Sequence, residues 1–186
     1  TAQQFFDAFE LARKCGFDNI NTDLIAGLPT DTPESFKNSL DSIVRLNAEC
    51  ITVHTLCMKR ASRLTTEGVT LDLQQARDAR EMLAYTQNIL GQNEYIPYYM
   101  YRQSRMVGNL ENVGWSKKGF ESLYNVYVMD ETHTILACGS GGVTKLKRNN
   151  PDYLERIFNF KYPYEYIDRF DELIQRKSGI MQFYGQ

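Results

Sequence analysis

Asn21-Thr22-Asp23-Leu24-Ile25-Ala26-Gly27-Leu28-Pro29 decides how the rest of the chain is read. An apolar run ends in a glycine and a proline, with one carboxylate set inside it. Leu24 and Ile25 predict a buried strand, and Gly27 permits a turn or a close backbone approach to a ligand. Pro29 has no N–H to give to a ladder and suits the strand's exit. Asp23 is the odd member, because a carboxylate near a buried strand needs a partner. It can cap a turn, pair with an arginine or meet a ligand.

Working outward, residues 2–15 carry Phe5, Phe6, Phe9, Leu11 and Ala12 at near-helical spacing, and Gly16 follows as a C′ residue. Phe17 to Ala26 then predicts a strand. Thr32-Pro33-Glu34-Ser35 restarts a helix, with Thr32 as N-cap, Pro33 at N1 and Ser35 at N3. Phe36, Leu40, Ile43, Val44 and Leu46 form its buried stripe. Cys50 to Leu56 is the next strand, rich in β-branched residues. Helix–strand alternation with short connections predicts parallel strands joined by crossover helices. Sites in such folds lie at the carboxyl ends of strands. Asp23 precedes one such end and Cys57 sits at the next.

Residues 58–70, with Lys59, Arg60 and Arg63, read as a solvated loop that could equally cover an anion. Residues 71–90 predict the longest helix, ended by Gly91. Near residue 92 the character changes, and a subdomain boundary is expected there. Tyr95 to Tyr101 predicts an edge or bulged strand around Pro97. Arg102 to Trp115 is polar, glycine-punctuated and long, which marks a functional or disordered loop. Tyr124–Met129 and Thr134–Ala137 predict a hairpin turning at Asp130-Glu131. Val143 to Leu146 reads as a strand or a short helix, Lys147 to Asn150 as surface, Glu155 to Phe160 as a strand, and 166–174 as a C-terminal helix.

The bulk numbers narrow the function classes. The 186 residues suffice for one ordinary domain or two small ones. A formal net charge of -2 gives no electrostatic case for nucleic acid. No apolar run reaches the length of a membrane span, and no signal-peptide pattern is visible. Cys15, Cys50, Cys57 and Cys138 are dispersed without a CxxC pair, as expected of reduced thiols in a cytosolic protein. His54 and His133 lie too far apart for a histidine-rich metal site. Gly139-Ser140-Gly141-Gly142 lacks the lysine spacing of a phosphate loop, although a flat ring could lie against it. Cys57 as a nucleophile needs a base, and His54, three residues earlier on a strand, points to the other face. Cys57 therefore reads as a buried structural thiol. The chain begins with Thr1 and a helix pattern starts at once, so a piece of a longer protein is expected.

Asn21 to Pro29, followed by Thr32-Pro33-Glu34-Ser35-Phe36 and Leu40, resembles a block of the oxygen-independent coproporphyrinogen III oxidase-like radical S-adenosylmethionine (SAM) proteins. Ile51 to Leu56 falls at that family's next strand. Glu111 to Gly119, with Glu121, Ser122 and Asn125, resembles its post-barrel segment, and Gly139 to Val143 its small-residue strand end. Arg102-Gln103 with Gly108 to Gly114 is most similar to the coproporphyrinogen dehydrogenase branch, the Z-type.

The resemblance implies an α/β chain: the C-terminal part of a radical SAM partial (β/α) barrel plus an α+β C-terminal extension. Residues 1–91 would be the last barrel strands and helices, and 92–186 an antiparallel extension with a terminal helix. It implies a [4Fe-4S] cluster on C-x-x-x-C-x-x-C, with SAM cleaved to a 5′-deoxyadenosyl radical that drives oxidative decarboxylation of coproporphyrinogen III. By the same resemblance Asp23 is the acidic SAM contact, the Cys57 backbone lines the adenine pocket and Val143 is an apolar pocket residue. Arg102, Arg105 and Lys117 are candidates to meet the propionates of a tetrapyrrole, since fixed cationic donors suit carboxylates. The cysteine motif and the glycine-rich methionine-binding segment are absent here and expected before residue 1. The chain alone is accordingly expected to bind no cluster and catalyse nothing. A truncated barrel leaves an unpaired edge, through which dimerisation is expected. The rival readings are a haem-binding chaperone and a methyltransferase of the same superfamily.

Overall fold

The computed structural model describes residues 1–58, 63–68, 72–104, 106–149 and 152–185. They form two compact units, Thr1–Ser122 and Leu123–Gln186. The division falls after Ser122 rather than near residue 92, because the strands following residue 92 complete the sheet of the first unit.

The first unit opens with α1 (Ala2–Lys14) and β1 (Asn21–Ala26), followed by α2 (Pro33–Leu46) and β2 (Cys50–Thr55). A short α3 (Arg63–Thr66) precedes the long α4 (Leu73–Gln92), then come β3 (Ile96–Tyr101) and β4 (Asn112–Ser116). The sheet order is β1-β2-β4-β3. β1 and β2 are parallel, with Asp23 opposite Thr52 and Ile25 opposite His54. β4 runs antiparallel to both neighbours, with Gly114 between Thr52 and Tyr99. β3 is an edge strand with a register shift between Pro97 and Tyr99, as its proline suggested.

Several expectations are corrected in this unit. The first strand begins at Asn21, not Phe17. Gly91 lies inside α4, which continues to Gln92 from an Asp72 cap. Asn112 to Trp115 is not loop but an interior strand, and Trp115 is buried. Lys59 and Arg60, in the expected 58–70 loop, lie outside the described residues, as does the side chain of Arg63.

Each sheet face follows from alternation. Ala26, Ile51, Val53 and Trp115 join Phe9, Phe36, Leu40, Ile43, Met82 and Leu90 in the core beneath α2 and α4. Full burial of side chains such as Phe36 and Leu40 contributes about 1.5–3 kcal/mol each. The α2 start is built as its residues predict: the Thr32 hydroxyl accepts from the Ser35 amide at 3.2 Å, and the Ser35 hydroxyl accepts from the Thr32 amide at 2.9 Å. Thr32→Ala is expected to cost about 1 kcal/mol in urea unfolding. Gly27 takes φ +84 just past β1, and a Cβ there would sit 3.2 Å from the Ala79 Cβ of α4. Its close approach is thus to a helix.

The second unit has α5 (Leu123–Asp130), β5 (Val143–Asn149), β6 (Asp152–Phe158), α6 (Pro163–Asp168), α7 (Phe170–Lys177) and α8 (Gly179–Tyr184). β5 and β6 pair antiparallel. The expected 124–137 hairpin is absent. Tyr124–Met129 is helical, and Thr134–Ala137 keeps only a bridge between Ile135 and Lys145. A short β-branched run is ambiguous between the two states. The Lys145 ammonium settles it locally by donating to the Val128 carbonyl at 3.3 Å and pairing with Glu131 at 2.9 Å, beside the helix end. The expected surface run at Lys147 lies within β5, where Arg148 covers the Phe183 ring at 4.8 Å. Asn150 lies outside the described residues. The expected late strand, 155–160, is β6 at 152–158. The single C-terminal helix is three short ones. Arg169 leaves helical geometry between α6 and α7 while its guanidinium stacks 4.2 Å from the Phe160 ring.

Candidate functional site

The sheet face opposite the core is polar. β1 presents Asn21 and Asp23 there, β2 presents Thr52 and His54, and β3 presents Tyr99 and Tyr101. These six side chains form a circuit. The Asn21 amide donates to Asp23 Oδ1 at 2.8 Å, and the Thr52 hydroxyl donates to Asn21 Oδ1 at 3.1 Å. Tyr99 Oη lies 3.3 Å from Thr52 Oγ1. On the other side, His54 Nε2 lies 3.7 Å from Asp23 Oδ1, and Tyr101 Oη lies 3.4 Å from His54 Nδ1. The two tyrosine rings close the circuit by stacking at 6.3 Å with 7° between their planes.

The Tyr99 ring lies against bare backbone. A Cβ at Gly114 would fall 1.8 Å from Tyr99 Cε1, so glycine is required where this ring covers the strand. His54 beside Asp23 is the main influence holding that carboxyl below the usual carboxylate range, against the opposing effect of burial and with help from Asn21 and Thr52. Burial chiefly raises the Tyr99 phenol, which stays protonated and able to donate.

A cleft of about 330 Å³ opens at the carboxyl ends of β1 and β2, lined by Ile25, His54, Thr55, Cys57, Tyr101 and Asn112, among others. Its wall is sewn together by side chains: the Thr55 amide donates to Asn112 Oδ1 at 2.7 Å, and the Thr55 hydroxyl to the Glu111 carbonyl at 2.8 Å. Cys57 is at the strand end as expected. It is half-buried rather than buried, bridges to Met106, and its thiol contacts the Ser104 carbonyl at 3.3 Å.

Asp23 is mid-strand and reaches this cleft through His54. Its partners are His54, Asn21 and Thr52, neither a turn nor an arginine. Arg102 pairs with Glu111. Lys117 donates to the Asn47 carbonyl at 3.1 Å and lies over the Tyr95 ring. Both cations are engaged within the fold. Arg105 lies outside the described residues. Val143 opens β5 in the second unit, opposite Phe158. The Gly139–Gly142 run is a turn whose three glycine amides are used internally, by Tyr166 Oη and the Phe160 and Gly139 carbonyls.

Asn21, Thr52, His54, Tyr99 and Tyr101 escaped the sequence reading as site residues. The available signal was alternation: Asn21 and Asp23, then Thr52 and His54, each two apart on strands expected to be parallel neighbours.

Among the described residues no three His, Cys, Asp or Glu side chains are grouped to hold a metal ion. The dispersed thiols do not fit an iron–sulfur cluster, and burial pushes the Cys50 thiol up to about 11. An adenosyl ligand fits better, because an ionised carboxylate accepts from hydroxyl and ammonium groups. Among the described residues no helix is long and apolar enough to cross a membrane.

Comparison with solved structures places this architecture among radical SAM folds. The coproporphyrinogen III oxidase HemN of Escherichia coli, described as a radical SAM enzyme, superposes with a TM-score of 0.62 at 18% identity, covering 92% of this chain and the C-terminal part, 38%, of that one. In sequence, the oxygen-independent coproporphyrinogen-III oxidase-like protein HemZ of Bacillus subtilis is 36% identical over 98% of this chain. The heme chaperone HemW of Lactococcus lactis is 30% identical over 81%. The chain belongs to the oxygen-independent coproporphyrinogen III oxidase-like radical SAM family. It spans 36% of the length of HemZ and 38% of HemW. No family model matches.

Proposed function

We propose that the chain is the part of a radical SAM oxidoreductase that helps seat SAM and shape a tetrapyrrole site, in an oxygen-independent oxidative decarboxylation of coproporphyrinogen III to protoporphyrinogen IX. The observation that carries this reading is the Asp23 carboxylate, ionised and tethered on the polar face beside a strand-end cleft bordered by Cys57. Asp23 accepts hydrogen bonds from the ligand's hydroxyl or ammonium groups, and the backbone at Cys57 meets the adenine edge. Arg102 and Lys117 serve the propionates only by leaving their present partners, so their part is secondary. SAM, once bound with a reduced cluster in the whole protein, supplies hydrogen-abstracting radical chemistry.

The similarity to HemW favours one second reading, a haem-binding chaperone. Anaerobically reconstituted full-length protein separates the two. Coproporphyrinogen consumption with product formation supports the oxidase, and stable haem binding, read as a Soret band without turnover, supports the chaperone. In either case Asp23→Asn is expected to weaken equilibrium binding of SAM at least about tenfold, since a charge-assisted hydrogen bond contributes roughly 1.5–3 kcal/mol. Unchanged affinity sinks the assignment of Asp23. The 186-residue chain alone, given iron, sulfide, dithionite and SAM, is expected to yield no 5′-deoxyadenosine.

A further inference from the structure

We infer that His54, itself held by Tyr101, is a positioning residue that fixes the Asp23 carboxylate so that one oxygen is tied to the protein and the other is offered to the ligand. The inference rests on the reading of Asp23 as a SAM contact and extends it to two residues on other strands.

The geometry divides the carboxylate's oxygens. Asn21 Nδ2 at 2.8 Å and His54 Nε2 at 3.7 Å both approach Oδ1. Neither of these approaches is made to Oδ2, and Thr52, whose hydroxyl donates to Asn21, adds to the hold on the carboxylate from the same circuit. The Asp23 side chain is 60% exposed, so it would turn freely about its terminal bond unless something held it. Asn21 sits two residues away on the same strand and cannot by itself define the carboxylate plane against the sheet. His54 comes from the neighbouring strand, diagonal to Asp23, and supplies the second direction.

Tyr101 makes His54 suitable for this task. A neutral imidazole has one N–H and one acceptor nitrogen, and the partner of one nitrogen selects the tautomer. Tyr101 Oη faces Nδ1, and a phenol donating there leaves the proton on Nε2, the nitrogen that faces Asp23. The imidazole is also held in plane, with the Tyr101 ring set edge-on at 6.5 Å. Tyr101 is in turn stacked on Tyr99, whose ring is seated on Gly114. The edge strand β3 thereby controls the orientation of a carboxylate on the opposite edge strand. A ligand group that donates, a ribose hydroxyl or an ammonium, meets a preset Oδ2 and does not have to order it.

The test uses full-length protein and equilibrium binding of SAM. His54→Phe is expected to weaken binding roughly tenfold in the parent protein and to have no further effect in the Asp23→Asn background. Coupling of that kind is what a positioning role predicts. His54→Gln retains an amide N–H and is expected to recover most of the affinity. Unchanged affinity in His54→Phe, with Asp23→Asn impaired, overturns the inference and leaves the Asp23 contact standing. Equal losses in both backgrounds also overturn it, because they mark a general structural role. Asp23→Asn binding as well as the parent removes the Asp23 contact and the inference together. Should His54→Phe fail to fold, Tyr101→Phe carries the test: a loss of about threefold, absent in the Asp23→Asn background, supports the inference, and no loss overturns it.

Discussion

Gly114→Val destabilises the first unit by about 3 kcal/mol in urea unfolding, the upper range of overpacking costs. The new Cβ alone would lie 1.8 Å from Tyr99 Cε1, so the ring must leave the face of β4. Its departure breaks the contact with Thr52 and the stack on Tyr101. The sign of the effect depends on the ring. Valine is ordinarily preferred to glycine inside a strand. In a Tyr99→Ala background the same Gly114→Val change is therefore expected to be neutral or stabilising. A large cost persisting in that background would mean that something other than the tyrosine excludes a side chain from position 114.

Arg13→Ala costs about 2 kcal/mol at pH 7, below the roughly 3–5 kcal/mol of breaking a fully buried ion pair because the Arg13 side chain is 30% exposed. Arg13 Nη2 lies 2.7 Å from both oxygens of Glu49, a residue only 8% exposed, and the Ile20 amide donates to the same carboxylate at 3.1 Å. Arg13 also caps the Phe17 carbonyl and lies over the Phe9 ring, tying α1 to the entry of β1. Burial works to raise the Glu49 carboxyl, but Arg13 and the Ile20 amide together hold it below its ordinary value of 4.5. A carboxyl depressed in the folded state adds stability above its unfolded value, and that stability is lost as pH falls through the lower folded value. The parent protein accordingly loses this contribution only below about pH 4.5. In Arg13→Ala burial is opposed only by backbone amides such as that of Ile20, so the folded-state value rises relative to the parent and less stability is lost as pH falls below about 4.5. Parallel pH profiles of the two proteins would show that Arg13 does not compensate Glu49.

The α/β layout was legible because its signals are local. Thr32, Pro33 and Ser35 state where α2 begins, and the β-branched run at 50–55 has little choice but strand. The part of the site on β1 and β2 was half legible: Asp23 stands out in an apolar run, but its partner is fixed by register, which no local pattern contains. Tyr99, Tyr101 and Gly114 were hidden for a different reason. Residues 102–115 are polar and glycine-rich, the composition of a loop, and only the covering ring explains why an interior strand carries a bare position. The 124–129 segment misled through propensity, since its valines and tyrosines suit a strand while the lysine that secures the helix end lies on β5.

Strand direction in the first sheet has a further consequence. β4 is the lone reversed member, inserted between β2 and β3, so β3 again points the same way as β1 and β2. The chain thus leaves all three of those strands at a common rim, and β4 enters from it. The connection from Tyr101 to Asn112 both departs and returns on that side. Met106 and Val107 pin its middle against Cys57 and α4, so Gln103 at the mouth of the cleft can be exchanged while every ladder beneath keeps its alignment, which separates the evolution of ligand choice from the upkeep of the scaffold.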